Sequence, residues 1–347
     1  MKKSFCVDDL VTGQKTTRGA GELYEKAKTR LSRGGFRLRK WLTNINSEEL
    51  RAKIMHRELP GESNVDKQIE SADESYGKAT LGAKAAKVLG QSWNCENDSF
   101  VFDLSEMVER ADGLLVTKRN ILKVIAGMYD PLGLLSPVLV GMKVLFHELR
   151  VSKADWDERI SSEREKSWIG WLRDLKETKK IHVPGFAYGI GQGKFNCLLH
   201  GFADASRKAY CAVIYFVCEV SGAISSTLLT SKRIVSPLKE QTIPRLELMS
   251  GKILATLMDT VQNALKEEVY ICRTLLWLDS KTALWWIENN GEWKQFVRHR
   301  VNEILKITKK DEWGHCPGEE NPPSSVREVS ERPDLKKVGY GGEVRLG

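Results

Sequence analysis

The stretch CLLHGFADAS, residues 197–206, is an apolar run that ends by presenting a carboxylate, Asp204, among small residues. Strand alternation puts Asp204 on one face with Leu198, His200 and Phe202, so the acid stands where an apolar side chain is expected. A bare charge in a dry site is costly. Asp204 therefore calls for a basic partner, a capped helix or a metal ion. Two further acids pose the same problem. Glu247 falls on the line of Leu254 and Met258 in the helical stretch IPRLELMSGKILATLMDTVQNAL, and Asp279 ends the apolar run of LLWLDS, a pattern that fits a central strand.

A lone acid of this kind is ordinarily a cap or a paired structural residue. Three on consecutive core elements are different, because like charges gathered in a buried cleft raise one another's pKa unless a cation neutralises them. Hard divalent ions take oxygen ligands, and Mg²⁺ is commonly held by a few carboxylates plus substrate phosphates. A pair of such ions activates water and stabilises the leaving oxygen in phosphodiester cleavage. Asp204, Glu247 and Asp279 are the candidate metal ligands, for Mg²⁺ or alternatively Mn²⁺.

Working outward from the opening stretch, AYCAVIYFVCEV and ISSTLLTSKRI follow as strands, and the long helix begins with Pro244 where a missing N–H costs little. VYICRTLLWLDS is a strand, KTALWWIENN and KQFVRHRVNEILKIT are helices, and DEWGHCP is a last strand. This pattern predicts an α/β fold with a mixed sheet and flanking helices. Upstream, KRNILKVIAGMYDPLG, SPVLVGMKVLFHELRVS and SEREKSWIGWLRDLKET carry helical spacing, and the glycine-rich PGFAYGIGQGKFN marks a boundary near residue 190. The N-terminal part reads as α+β. SFCVDDLVTG is a hairpin with Asp8 and Asp9 at its tip, and GAGELYEKAKTRLSRGGF is a helix stopped at Gly34 and Gly35. FRLRKWLT is a short strand, residues 60–81 are a polar loop, and KVLGQSWNCENDSFVFDL holds two strands.

The chain has 347 residues, a formal net charge of +8 and a pI near 9.0. The basic residues are dispersed, which suits a groove tracking a phosphate backbone and equally suits a well-solvated surface. Seven cysteines, with no adjacent C-x-x-C pairs, argue against a zinc site and a secreted disulfide framework, and favour a reducing, intracellular setting. No signal peptide is evident. The longest apolar run, SPVLVGMKVLF, is broken by Lys143 and too short to span a bilayer, so no membrane association is expected.

GFADAS, IPRLELMSGKILA and LWLDSKTALWWI, followed by EWGHCPGEENP, resemble the ribonuclease H domain of the BEL/Pao retrotransposon polyproteins. SFCVDDLVTG and GGFRLRKWLTN resemble the second half of that family's reverse transcriptase palm, and LGQSWN its primer-grip neighbourhood. ILKVIAGMYDPLGLLSPVLVGMKVLFHELR resembles the segment joining polymerase to nuclease. The resemblance covers roughly residues 2–322 and implies a truncated palm (1–115), a helical connection (116–190), a ribonuclease H-like domain (191–322) and an aberrant tail (323–347).

It further implies that Asp204, Glu247 and Asp279 hold the metal that cuts the RNA strand of an RNA–DNA hybrid, and that His315 helps product leave. Lys232, Arg233, Lys294, Arg298 and Arg300 are candidate nucleic-acid contacts, and the rest of a retroelement polyprotein is an implied partner. Two departures stand out. The family continues ENPAD where this chain reads ENPPSS, so Ser324 replaces a fourth acid, and the closing run suggests a frameshift near Pro322. Asp8 and Asp9 match paired polymerase aspartates, yet an earlier palm acid and the fingers do not precede them, so DNA synthesis is not expected. A working hybrid nuclease and a catalytically inactive remnant that binds nucleic acid both stay open on these residues.

Overall fold

The structure, a computed structural model, describes residues 5–6, 9–14, 16–36, 41–45, 86–88, 90–178, 180–185, 196–220, 223–267, 269–289 and 291–322. The polar loop at 60–81, most of the glycine-rich boundary, Asp8, Ser324 and the tail lie outside them. The chain divides into two compact units, residues 1–102 with 182–191, and residues 103–181 with 192–347.

In the first unit β1 (Phe5–Cys6) and β2 (Asp9–Leu10) pair antiparallel, as the hairpin pattern predicts. Helix α1 (Thr17–Arg33) starts at Thr16, whose hydroxyl accepts the Gly19 N–H at 3.0 Å, and stops at Gly34, whose N–H returns to the Leu31 carbonyl. Strands β3 (Ala86–Val88), β4 (Gln91–Asn94), β5 (Ser99–Asp103) and β6 (Lys180–Pro184) form a sheet in that order. Where the pattern predicts two strands in KVLGQSWNCENDSFVFDL there are three, because Gly90, at φ +80°, lets β3 fold back onto β4. The described part of FRLRKWLT holds no strand.

The second unit opens with α2 (Ser105–Ala111), α3 (Lys118–Ala126), α4 (Ser136–Val151) and α5 (Ser162–Thr178). The Trp171 indole N–H donates to the Val138 carbonyl at 3.1 Å and ties α5 to α4. There follow β7 (Asn196–Ala205), β8 (Ala209–Val220), β9 (Ala223–Val235), α6 (Ile243–Leu265), β10 (Ile271–Leu278), α7 (Lys281–Glu288), α8 (Gln295–Leu305) and β11 (Trp313–His315). The sheet order is β11-β10-β7-β8-β9, with β7, β8 and β9 antiparallel and β10 parallel to both β7 and β11. This is the mixed sheet with flanking helices that the alternation predicts.

Helix α6 buries its apolar stripe, Leu248, Leu254, Ala255 and Met258, among Leu199, Ile214, Phe216 and Leu276 of the sheet. Each such fully buried side chain contributes roughly 1.5–3 kcal/mol. Close approach depends on Gly201, where a Cβ would lie 2.6 Å from Leu254 Cδ1 and 2.8 Å from Met258 Cε.

The helical segment does not stop at the sheet's border. The Leu132 carbonyl accepts both the Ser231 N–H at 2.9 Å and the Thr230 hydroxyl at 2.7 Å. The Ser231 hydroxyl meets the Gly133 carbonyl and the Ser136 hydroxyl. Gly133 makes this junction possible: its φ is +72°, and a Cβ there would run into the Ser231 carbonyl. Gly133→Ala is therefore expected to cost about 2–4 kcal/mol. Gly141→Ala, on α4 with nothing within 4 Å of its Cβ position, is expected to gain roughly 0.5–1 kcal/mol. Urea unfolding of both variants checks this, and equal effects would refute the junction.

Candidate metal centre

The backbone register assembles the site. In the parallel pair β7/β10, Ala203 stands opposite Leu278, so the next residues, Asp204 near the end of β7 and Asp279 just past β10, lie side by side. On the far side of β10, Leu278 stands opposite His315 of β11. Glu247 lies in the second turn of α6, which packs over β7 and β8. The site thus forms at the carboxyl ends of parallel strands, where open α/β sheets bind ligands.

One carboxylate oxygen from each of Asp204, Glu247 and Asp279 lies within 4.8 Å of the others. Asp204 is 1 % exposed and Glu247 3 %. Glu247 Oε1 accepts the Ala205 N–H at 3.1 Å, while among the described residues its buried Oε2 receives no hydrogen bond. Burial first, then the charges of Asp279 and Asp204 push the Glu247 carboxyl up to about 9, despite the opposing Ala205 N–H. The same burial, with Asp204 and Glu247 beside it, raises the Cys211 thiol. Three converging hard oxygen donors, two of them buried and one with a buried oxygen that receives no hydrogen bond among the described residues, fit a divalent cation.

The other predicted residues are dispersed. His315 Nε2 lies 3.1 Å from the Asp279 main-chain carbonyl, at the edge of the centre. Lys232, Lys294 and Arg298 are exposed. Arg233 instead points into the protein, where it donates to the Leu135 and Ser136 carbonyls. Arg300 lies flat on the Phe296 ring, 3.5 Å from its centroid, and donates to the Phe296 carbonyl at 3.0 Å. Asp9 begins β2. One contributor escaped sequence reasoning: Asn321, 1 % exposed, donates to the Ala203 carbonyl at 3.0 Å, beside Asp204. An asparagine in the polar run GEENPP carries no pattern that marks it as buried.

Sheet order and carboxylate placement define a ribonuclease H-like domain. Residues 117–280 match the family described as Pao retrotransposon-like RNaseH-like domain. That span contains Asp204, Glu247 and Asp279 and ends before His315. No curated protein matches the chain in sequence. Among solved structures, the N-terminal RNase H domain of Rv2228c from Mycobacterium tuberculosis is 11 % identical with a TM-score of 0.28, covering 39 % of this chain and 95 % of that one. LC11-RNase H1 in complex with RNA/DNA hybrid is 14 % identical with a TM-score of 0.25, covering 36 % and 88 %. The foamy viral protease-reverse transcriptase in complex with dsDNA is 10 % identical with a TM-score of 0.38, covering 74 % of this chain and 52 % of that one. TM-scores this low add no weight to the fold, which rests on the sheet order and the family match. Among the described residues no helix is long and apolar enough to cross a membrane.

The Glu247 shift has a consequence for stability. A carboxyl raised from its ordinary value to about 9 stabilises the metal-free fold below the unfolded value, and that contribution is lost as pH rises through about 9. In EDTA the melting temperature is expected to fall between pH 5 and pH 9, and Glu247→Gln is expected to flatten this slope and melt higher than the parent at pH 8. A variant that keeps the parent's slope would show that the three acids do not repel one another in the fold.

Proposed function

We propose that the chain binds RNA–DNA hybrid and hydrolyses its RNA strand with Mg²⁺, Mn²⁺ serving as a substitute. The observation that carries this reading is the convergence of Asp204, Glu247 and Asp279 within 4.8 Å, two of them buried, toward the carboxyl ends of parallel strands. When bound, the divalent ion supplies charge neutralisation and a more acidic water for phosphodiester hydrolysis. Asp204 near the end of β7 and Asp279 just past β10 would hold it, and Glu247 would close the set from α6. The Ala205 N–H fixes Glu247 Oε1 and leaves Oε2 for the ion. His315, anchored at the Asp279 carbonyl, stands at the edge where product leaves.

Lys232, Lys294 and Arg298 present exposed charge to a phosphate backbone, and Arg233 and Arg300 support the surfaces that carry them. Discrimination of hybrid from other duplexes comes from groove shape and 2′-OH contacts. The N-terminal unit, with Asp8 and Asp9, is read as part of a reverse transcriptase palm, and residues 116–190 as the connection. A second reading, an inactive remnant that still binds nucleic acid, is favoured by Ser324 at the position of an expected acid.

A labelled RNA–DNA hybrid incubated with the full chain and Mg²⁺ separates the two. The nuclease reading expects cleavage that falls about a hundredfold or more in Asp279→Asn, with salt-sensitive binding retained. Binding without cleavage in the parent, in Mg²⁺ and in Mn²⁺ alike, supports the remnant and ends the nuclease reading.

A further inference from the structure

Three cysteines meet at the end of the sheet away from the carboxylates. In the antiparallel pair β7/β8, Cys197 stands directly opposite Cys218. Both belong to the core that α6 covers, at 3 % and 4 % exposure, so their side chains leave the sheet on one face. Directly opposed residues of an antiparallel pair have Cα atoms about 4.5 or 5.5 Å apart, and a disulfide spans either distance. Neither cysteine is in a disulfide here.

On the other side of β7 runs β10, whose register passes from Ile271 opposite Cys197 to Arg273 opposite Leu198 and skips Cys272. This extra residue sits in a local irregularity beside Cys197, and unlike the other two it is exposed. The Cys218 thiol is pushed up to about 12, by burial first, then by its hydrogen bond with Cys197 and by the neighbouring Cys197 and Cys272 sulfurs. The three thiols therefore share one neighbourhood, roughly 20 Å along β7 from Asp204. Burial shields Cys197 and Cys218 from an oxidant in solution, whereas Cys272 meets it. An accessible cysteine beside a resolving thiol is the arrangement that redox-sensing sites use.

We propose that these cysteines form a thiol relay, in which a peroxide oxidises exposed Cys272 and the oxidation comes to rest as a buried Cys197–Cys218 disulfide. The Cys272 thiolate attacks one peroxide oxygen; an S–O bond forms, the O–O bond breaks and hydroxide leaves, so sulfur is oxidised and peroxide reduced. The Cys197 sulfur then attacks the Cys272 sulfenic acid, and the S–O bond breaks to release water with the Cys197 proton. Finally the Cys218 sulfur attacks Cys197, and Cys272 leaves and takes up the Cys218 proton. Two thiols and one peroxide give one disulfide and two waters, and Cys272 is ready for another turn. A disulfide of this kind in a reducing setting is transient, as a sensor requires.

Hydrogen peroxide added to the reduced full chain in EDTA tests this, with thiol titration and peptide mapping after alkylation, and fragmentation to tell Cys218 from Cys211. The parent is expected to lose two thiols and yield a Cys197–Cys218 link that dithiothreitol reverses. Cys272→Ser, an exposed change, is expected to slow that link about tenfold or more. Cys218→Ala is expected to stop one step earlier, with Cys197 linked to Cys272. A parent that never joins Cys197 to Cys218, or a Cys272→Ser protein that joins them at the parental rate, overturns the relay. So does a Cys218→Ala protein whose Cys272 is oxidised without capture by Cys197. None of these outcomes bears on the metal-nuclease reading.

Discussion

The second unit is organised around two parallel strands held in one register. Because Ala203 and Leu278 are opposite each other, the first residue beyond each must share one small volume, and both are aspartates. Two carboxylates about 4 Å apart repel by about 4 kcal/mol in a protein-like medium, and a third adds to this. A domain's whole stability is roughly 5–15 kcal/mol. The fold therefore keeps the three acids together only by placing a proton or a cation among them. Glu247, buried on α6, has its carboxyl pushed up to about 9 by that burial and by the two aspartates, so protonation within the trio relieves the repulsion when no cation is bound.

Much of this was readable in the residues. Each acid interrupts an apolar pattern, and the periods of 197–206, 243–265 and 271–278 place those interruptions on strand, helix and strand. Strand order was not readable, since nothing local says that β10 inserts beside β7. Strand β6 was missed because KIHVP is five residues long, follows directly on helix α5, and shows its alternation only through Ile181 and Val183. Asn321 was missed for a related reason: its partner, the Ala203 carbonyl, lies 118 residues earlier. Arg233 reads as a surface charge on β9, but its acceptors are main-chain carbonyls near the start of α4, and a carbonyl leaves no trace in composition.

The basic side chains divide accordingly into two groups. Arg233 and Arg300 do mechanical work, one bracing a strand against a helix start and the other lying on an aromatic ring. Lys232, Lys294 and Arg298 keep their charge in water.

Strand β9 is the outermost strand of its sheet, and such strands offer bare amides and carbonyls to any passing chain. Here the Leu132 carbonyl already occupies the Ser231 amide, and the left-handed turn at Gly133 carries the incoming chain across the strand. A sheet domain excised at the glycine-rich boundary would shed this cover and present a naked border to its own copies. The segment that matches the family begins at residue 117, well upstream of the sheet, and so takes in this hem.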